Sequence, residues 1–217
     1  MGTQILRRWL FASLAISSLI VVSVRYIDRP LARLMAQFHL FQALLAKAPV
    51  ELPVMIALAS LAVLLGGSYL AAGKPLPKWV AAGMLAGLAL AWSLCLIEFV
   101  LKPVFGRTPP TAYLQNSQYV FHWFYWGDAF GSFPSGHTDQ ATAILSILWV
   151  FYPRWRWVYA GALFLLAFAL ILGEWHFLSD VIAGGFIGTL SGVLMMRIWE
   201  DVGEQDQSLR TSVKGKD

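Results

Sequence analysis

Two stretches of this chain, residues 52–72 and 79–100, run about twenty residues each with almost no charge, the length that carries a helix across the hydrocarbon core of a bilayer. Four further apolar runs accompany them, over residues 9–24, 137–152, 157–172 and 181–199. Only 13% of the residues are charged and 58% are hydrophobic, where a soluble domain carries about 25% charged residues. The ten tryptophans fit the same reading, because aromatic rings gather where headgroups meet hydrocarbon. The expected fold class is therefore all-α: an integral membrane bundle of six transmembrane helices over residues 1–199, then a flexible cytoplasmic tail over residues 200–217.

Between the first two runs, Leu31, Leu34, Met35, Phe38, Phe41 and Leu45 recur at helical spacing, with Arg29, Arg33 and Gln37 on another face. Residues 30–47 thus read as an amphipathic helix lying in the membrane surface, with a plain connector as the alternative. Pro49, Pro75, Pro77 and Pro153 mark the joints between helices. The first run follows a basic leader, which is also the mark of a signal peptide. No small-x-small cleavage site follows it, so it is read as a retained span. Cys95 is the single cysteine and lies inside an apolar run, which excludes an internal disulfide. The net charge of +4 is spread over the loops, so no nucleic-acid surface is expected.

Lysine and arginine positions set the expected topology. With the N-terminus inside, ten of them fall on inner segments. Six fall outside: Arg25, Arg29, Arg33, Lys47, Lys102 and Arg107. The bias puts both termini in the cytoplasm. It also brings the loop between the third and fourth spans and the loop between the fifth and sixth to the same outer face.

Those two loops carry the residues with chemistry. His176 and Asp180 stand four apart, on one face of a helix, and that face continues as Gly184, Gly188 and Gly192, a stripe that allows close packing on a neighbour. The carboxylate could accept from one ring nitrogen and leave the other as a nucleophile; a plain helix start with an acidic first turn is the alternative. Ser135, Gly136 and His137 open the fourth span. Free backbone N–H groups there would form an anion seat, with Gly136 allowing close approach and Ser135 capping the helix or donating to phosphate. An ordinary Pro-Ser-Gly turn would look much the same. Lys102 and Arg107 close the third span, a point charge and a planar fork that both suit phosphate, though basic residues at span ends also snorkel. Glu98 precedes Lys102 by one turn, in the favourable order for a pair that either positions the lysine or neutralises the carboxylate.

Taken together, these residues resemble the type-2 phosphatidic acid phosphatase superfamily of membrane lipid phosphatases. The resemblance rests on a lysine-containing first motif at Lys102, a Pro-Ser-Gly-His second motif at residues 134–137 and a His-x-x-x-Asp third motif at residues 176–180, in that order. Two departures stand out. The arginine expected seven residues after the lysine is Pro109, with Arg107 nearby, and the third motif's Ser-Arg is Ala169-Leu170.

The resemblance implies a phosphohistidine mechanism. His176 would be the nucleophile, Asp180 its support and His137 the acid and then the base, while Lys102, Arg107, Ser135 and Gly136 would hold the phosphoryl oxygens. It implies no cofactor and no metal, a membrane lipid phosphate as substrate, and a bacterial inner (plasma) membrane location with the site on the periplasmic or outer face. A lipid phosphotransferase with the same intermediate and a non-catalytic lipid-binding protein are the alternatives. Phosphatidic acid, phosphatidylglycerophosphate, undecaprenyl diphosphate and lipid A stay open as substrates, as does the oligomeric state. The aromatic loop over residues 102–133 would form a collar round the headgroup, with His122 and Asp128 as second-tier site candidates and His39 without a catalytic role.

Overall fold

The computed structural model of the chain describes residues 2–38, 52–125, 127 and 130–214. Helix α1 (Gly2–Val22) passes through a π turn (Ser23–Ile27) straight into α2 (Asp28–Met35). Helix α3 (Leu52–Ala71) is followed by α4 (Lys78–Leu96), which passes through a second π turn (Ile97–Leu101) into the short α5 (Lys102–Phe105). The loop beyond holds α6 (Pro110–Asn116) and leads to α7 (Gly136–Phe151), α8 (Arg156–Leu172) and α9 (Leu178–Lys214).

Both π turns have a local cause. A proline removes one N–H and presses its ring on the carbonyl four residues back. For Pro30 and Pro103 those carbonyls belong to Tyr26 and Phe99, each inside a π turn. The widened turn makes room for the ring without breaking the helix. The first helix therefore does not stop where an interfacial helix was expected to begin. Residues 30–35 complete the first rod, while His39, Phe41, Leu45 and Lys47 lie outside the described residues. At the other end the backbone stays helical to Lys214, beyond the boundary at residue 199 read from the sequence.

Four described helices are long and apolar enough to cross a membrane: Arg7–Met35, Lys78–Phe105, Pro153–Leu172 and Leu178–Gly203. Helix α3 counts only as a shorter apolar helix over Ile56–Ala71, and α7 is 16 residues long. Only 6% of the apolar window of the first rod is buried, and side chains such as Phe11 (76% exposed) and Trp157 (87% exposed) point outward. Surfaces that apolar are covered by lipid in a multi-pass membrane protein.

The core forms where α4, α7 and α9 meet. Leu85, Ala86, Ala89, Ala143 and Ile147 pack there, with Met195, Met196 and Trp199 against them. Small residues make the approach possible, as the glycine stripe predicts. A Cβ on Gly184 would overlap the Ser135 carbonyl, one on Gly188 the Asp139 carbonyl, and one on Gly192 the Ser146 side chain. Helix α9 thus lies directly on the backbone of α7. A similar contact joins α3 to α4, where a Cβ on Gly87 would come within 2.7 Å of the Ala59 carbonyl oxygen.

The test is a pair of alanine substitutions. Gly188→Ala drives a methyl into a backbone carbonyl that cannot rotate away, and is expected to cost about 1–3 kcal/mol. Gly67→Ala, which meets nothing within 4 Å, leaves stability unchanged or raises it. Thermal unfolding in detergent, followed by circular dichroism, reads both.

Candidate active site

Four segments meet at one end of the bundle: the second π turn with Lys102, the loop carrying Ser132, the start of α7, and the turn from Trp175 into α9. Between them lies a cavity of about 440 Å³, lined by Glu98, Lys102, Pro109, Ser132, Trp175 and His176 among others. The imidazole of His176 is largely buried at its wall. Half-buried His137 stands beside it, with the two ring centroids 6.1 Å apart and the rings 64° from coplanar. Trp175 lies 6.2 Å from the His137 ring, nearly parallel to it. The two histidines expected to share a site are therefore neighbours, although 38 residues of chain separate them (176 − 137 = 39 positions).

The orientation of His176 differs from expectation. Its Nδ1 lies 2.9 Å from the Ser132 carbonyl oxygen and 3.7 Å from Asp180 Oδ2. A carbonyl only accepts, so Nδ1 carries the proton and the lone pair of the neutral ring sits on Nε2. The backbone of Ser132, rather than the Asp180 carboxylate, sets this tautomer.

Asp180 is occupied elsewhere. Its carboxylate accepts from the guanidinium of Arg107, from Ser132 Oγ at 2.7 Å and from the Phe177 N–H at 2.8 Å. Arg107 is only 1% exposed. Its Nη1 also donates to Ser179 Oγ at 2.6 Å, and its Nη2 donates to Asp28 Oδ2 and to the Tyr119 hydroxyl, both at 2.7 Å. Phe177 stacks 4.2 Å from the guanidinium centre. Both terminal nitrogens of Arg107, a residue expected to hold phosphate, are thus bonded inside the protein, and the residue is not among those lining the cavity. Burial opposes the charge on this guanidinium, yet Asp180 and Asp28 outweigh it and hold its pKa above the ordinary arginine value. Burial also pushes the Tyr119 phenol up, with Arg107 opposing and Asp28 adding to the rise.

Ser135 and Gly136 are buried at the α7 start. Ser135 Oγ accepts from the Thr138 N–H at 3.4 Å, so it caps the helix, and its own N–H donates to the Asp180 carbonyl at 3.0 Å. Over Gly136 stands a carboxylate: a Cβ there would lie 3.3 Å from Glu98 Oε1. The same oxygen accepts from Lys102 Nζ at 2.6 Å. The place read as an anion seat at this helix start thus has Glu98 beside it, bridging toward the lysine. Pro109 lines the cavity, and the Leu170 carbonyl accepts from the His176 N–H at 3.3 Å. Both positions that the motif pattern gives to arginine carry apolar side chains; Pro109 is on the cavity wall, while Leu170 is buried and meets His176 through its backbone.

His122 packs in an aromatic cluster with Phe130 and Tyr125, at 4.5 and 6.1 Å, and is not among the cavity-lining residues. Asp128 lies outside the described residues. Among the described residues no cluster of histidine, cysteine and carboxylate could hold a metal ion. The sequence reading missed Asp28, which donates nothing to a motif. It accepts from Arg107, from the Ser179 N–H at 3.0 Å and from Ser179 Oγ at 2.5 Å. One signal was available. Asp28 is the lone acidic residue in the first fifty, and an isolated carboxylate at the end of an apolar helix calls for a partner.

Lys102 and Arg107 should part company in experiment. Arg107→Met strands two buried carboxylates and is expected to cost about 3–5 kcal/mol of stability. Lys102→Met removes only a half-exposed pair, worth less than about 1 kcal/mol. Chemical unfolding of the two variants in one detergent gives the comparison.

Three comparisons with known proteins bear on this geometry. The family model described as the PAP2 superfamily matches residues 82–204. A lipid A 1-phosphatase of Rhizobium etli is 29% identical over 106 residues, 47% of this chain and 46% of that protein. A lipid A 1-phosphatase of Rhizobium johnstonii is 30% identical over 99 residues, 46% of this chain and 41% of that protein. The chain thus spans less than half the length of these curated relatives. The crystal structure of a transmembrane PAP2-type phosphatidylglycerolphosphate phosphatase from Bacillus subtilis superposes with a TM-score of 0.50 over 87% of this chain and 96% of that one. At 16% identity that likeness is one of fold.

Proposed function

The chain belongs to the PAP2 superfamily, and from that premise we propose that it is a membrane lipid phosphatase working through a phosphohistidine. The observation that carries the reading is the pair of imidazoles 6.1 Å apart, with His176 on the cavity wall beside Lys102 and His137 against it but not among the lining residues. His176 Nε2 attacks phosphorus as the bond to the lipid oxygen breaks, and His137 gives its proton to that oxygen. Water then attacks the phosphohistidine while His137 takes a proton back, releasing phosphate and restoring His176. Lys102 and the α7 backbone face the charge that spreads over the phosphoryl oxygens. Asp180 supports His176 indirectly, because Ser132 hydrogen-bonds both the carboxylate and the imidazole. Ser135 is a helix cap in this scheme, and Gly136 lets the Glu98 carboxylate approach the start of α7.

The proposal extends to the membrane. Six spans, counting α3 and α7 with the four longer helices, leave both termini in the cytoplasm and the cavity on the outer face. That arrangement follows the bias of lysine and arginine toward the inner segments. Residues 1–199 then make the catalytic unit and residues 200–217 a cytoplasmic tail. The substrate class is a lipid phosphomonoester, for which lipid A and phosphatidylglycerolphosphate, named by the relatives, lead the panel.

One observation favours a second reading. With Pro109 and Leu170 where arginines are expected and Glu98 paired to Lys102, the cavity offers little net positive charge. A lipid-binding protein without turnover would tolerate that. Labelled lipid phosphates separate the cases: released phosphate supports hydrolysis, a labelled acceptor supports phosphotransfer, and neither supports binding alone.

For hydrolysis, His176→Ala brings release to background and His137→Ala lowers it by about a hundredfold or more. Near-normal release from both variants would sink the assignment. The rate should follow a bell in pH, because the attacking imidazole must start neutral and the group that protonates the leaving oxygen must start protonated. Because Glu98 stands against the anion seat, Glu98→Gln removes a like charge. It should lower KM roughly tenfold with little change in kcat. Steady-state kinetics on the purified protein measures each of these.

A further inference from the structure

On the far side of the Arg107 network from the active cavity, the first rod carries a second basic surface. Arg25, Arg29 and Arg33 are spaced i, i+4, i+8, so they share one face of the helix, and all three are exposed. With Tyr26, Pro30 and Tyr113 they line a cavity of about 280 Å³. No ion pair among the described residues engages any of the three. Asp28, on the same helix, is turned inward and consumed by Arg107 and Ser179.

Two of the guanidiniums lie over aromatic rings. Arg29 lies 5.3 Å from the centre of the Tyr119 ring and Arg33 lies 5.5 Å from that of Tyr113. A guanidinium over a ring face is attracted to it and can still offer N–H groups to an oxyanion. A second feature points to a ligand. Tyr113 is 8% exposed, and its buried hydroxyl has no hydrogen-bond partner among the described residues. A buried hydroxyl without a partner is costly, and the residue that carries it lines the cavity.

We propose that this cavity is a binding site for the phosphate of an anionic lipid, seated beside the bundle at the same end as the active cavity. A lipid fits better than a soluble anion because of what continues from the arginines along the rod. Val21, Val22 and Leu14 are exposed apolar side chains on the helix that leads down from them, a surface for acyl chains under a headgroup. The site also accounts for three arginines on the face where the lysine and arginine bias is otherwise low. It does not depend on the catalytic reading.

Native mass spectrometry of the purified full chain tests this, with micelles doped with phosphatidylglycerol or with phosphatidylcholine. The expected result is retention of phosphatidylglycerol in preference to phosphatidylcholine. Each arginine changed to glutamine should weaken retention about fivefold, so the triple variant loses the preference, while the triple lysine variant keeps most of it. Tyr113→Phe should weaken phosphatidylglycerol retention a few-fold and leave the ring stack intact. If the triple variant fails to fold, Arg25→Gln and Arg33→Gln taken singly decide the matter. A parallel arm titrates inorganic phosphate without lipid. Phosphate binding that needs the arginines, with no preference for phosphatidylglycerol, would show a soluble-anion site and overturn the lipid assignment. Equal retention of the two lipids by the unmodified protein, or an undiminished preference in the glutamine variants, would overturn the site altogether.

Discussion

A single guanidinium organises the working end of this molecule. Arg107 sits on a loop, yet it joins Asp28 at the end of the first rod to Asp180 in the first turn of the last helix. Two carboxylates in an apolar bundle are tolerable only with a cation between them and their remaining lone pairs satisfied. Ser132, Ser179 and the Phe177 N–H complete that satisfaction. A lysine could not replace the arginine, because a planar fork is needed to reach four partners lying in different directions. The arrangement also explains why Asp180 stands off from His176. Its oxygens are already committed, and the imidazole donates its hydrogen bond to a backbone carbonyl that Arg107 itself helps to fix, since the Ser132 N–H donates to the Arg107 carbonyl at 3.1 Å.

The same economy recurs in the two π turns. Each precedes a proline, and each is followed at once by a charged residue of the site, Asp28 in one and Lys102 in the other. Widening one turn changes the rotational phase of everything after it. A helix that crosses the membrane on an apolar face can then turn a charge toward the interior at its last turn. The proline imposes the wide turn, and the charged residue makes use of the new phase.

Much of this was legible in the sequence. The apolar runs gave the helices because their length is set by the bilayer, and the glycines at spacing four gave the α7–α9 contact because helical periodicity puts them on one face. The order of the motifs paired His137 with His176. Asp28 and Arg107 could not be paired this way, since residues 79 positions apart share no period and their meeting depends on tertiary packing. The continuation through Pro30 was missed for a related reason: proline ordinarily marks a stop, and only the π turn upstream converts it into a passage. Glu98 was read as a partner of Lys102, which it is, but its approach to Gly136 depends on how α4 lies against α7.

The close seating of α9 on the α7 backbone has a mechanical corollary. Three glycines leave no flexible side chains between those two helices to absorb a displacement, so the pair shifts as one piece. His137 stands on the first turn of one and His176 just before the first turn of the other, and their spacing is therefore insulated from fluctuations of the surrounding bilayer. Lys102 arrives on a different helix, through a widened turn, and is anchored by a single half-exposed ion pair. Changes in lateral pressure or membrane thickness would register in the lysine's reach while the gap between the imidazoles holds constant.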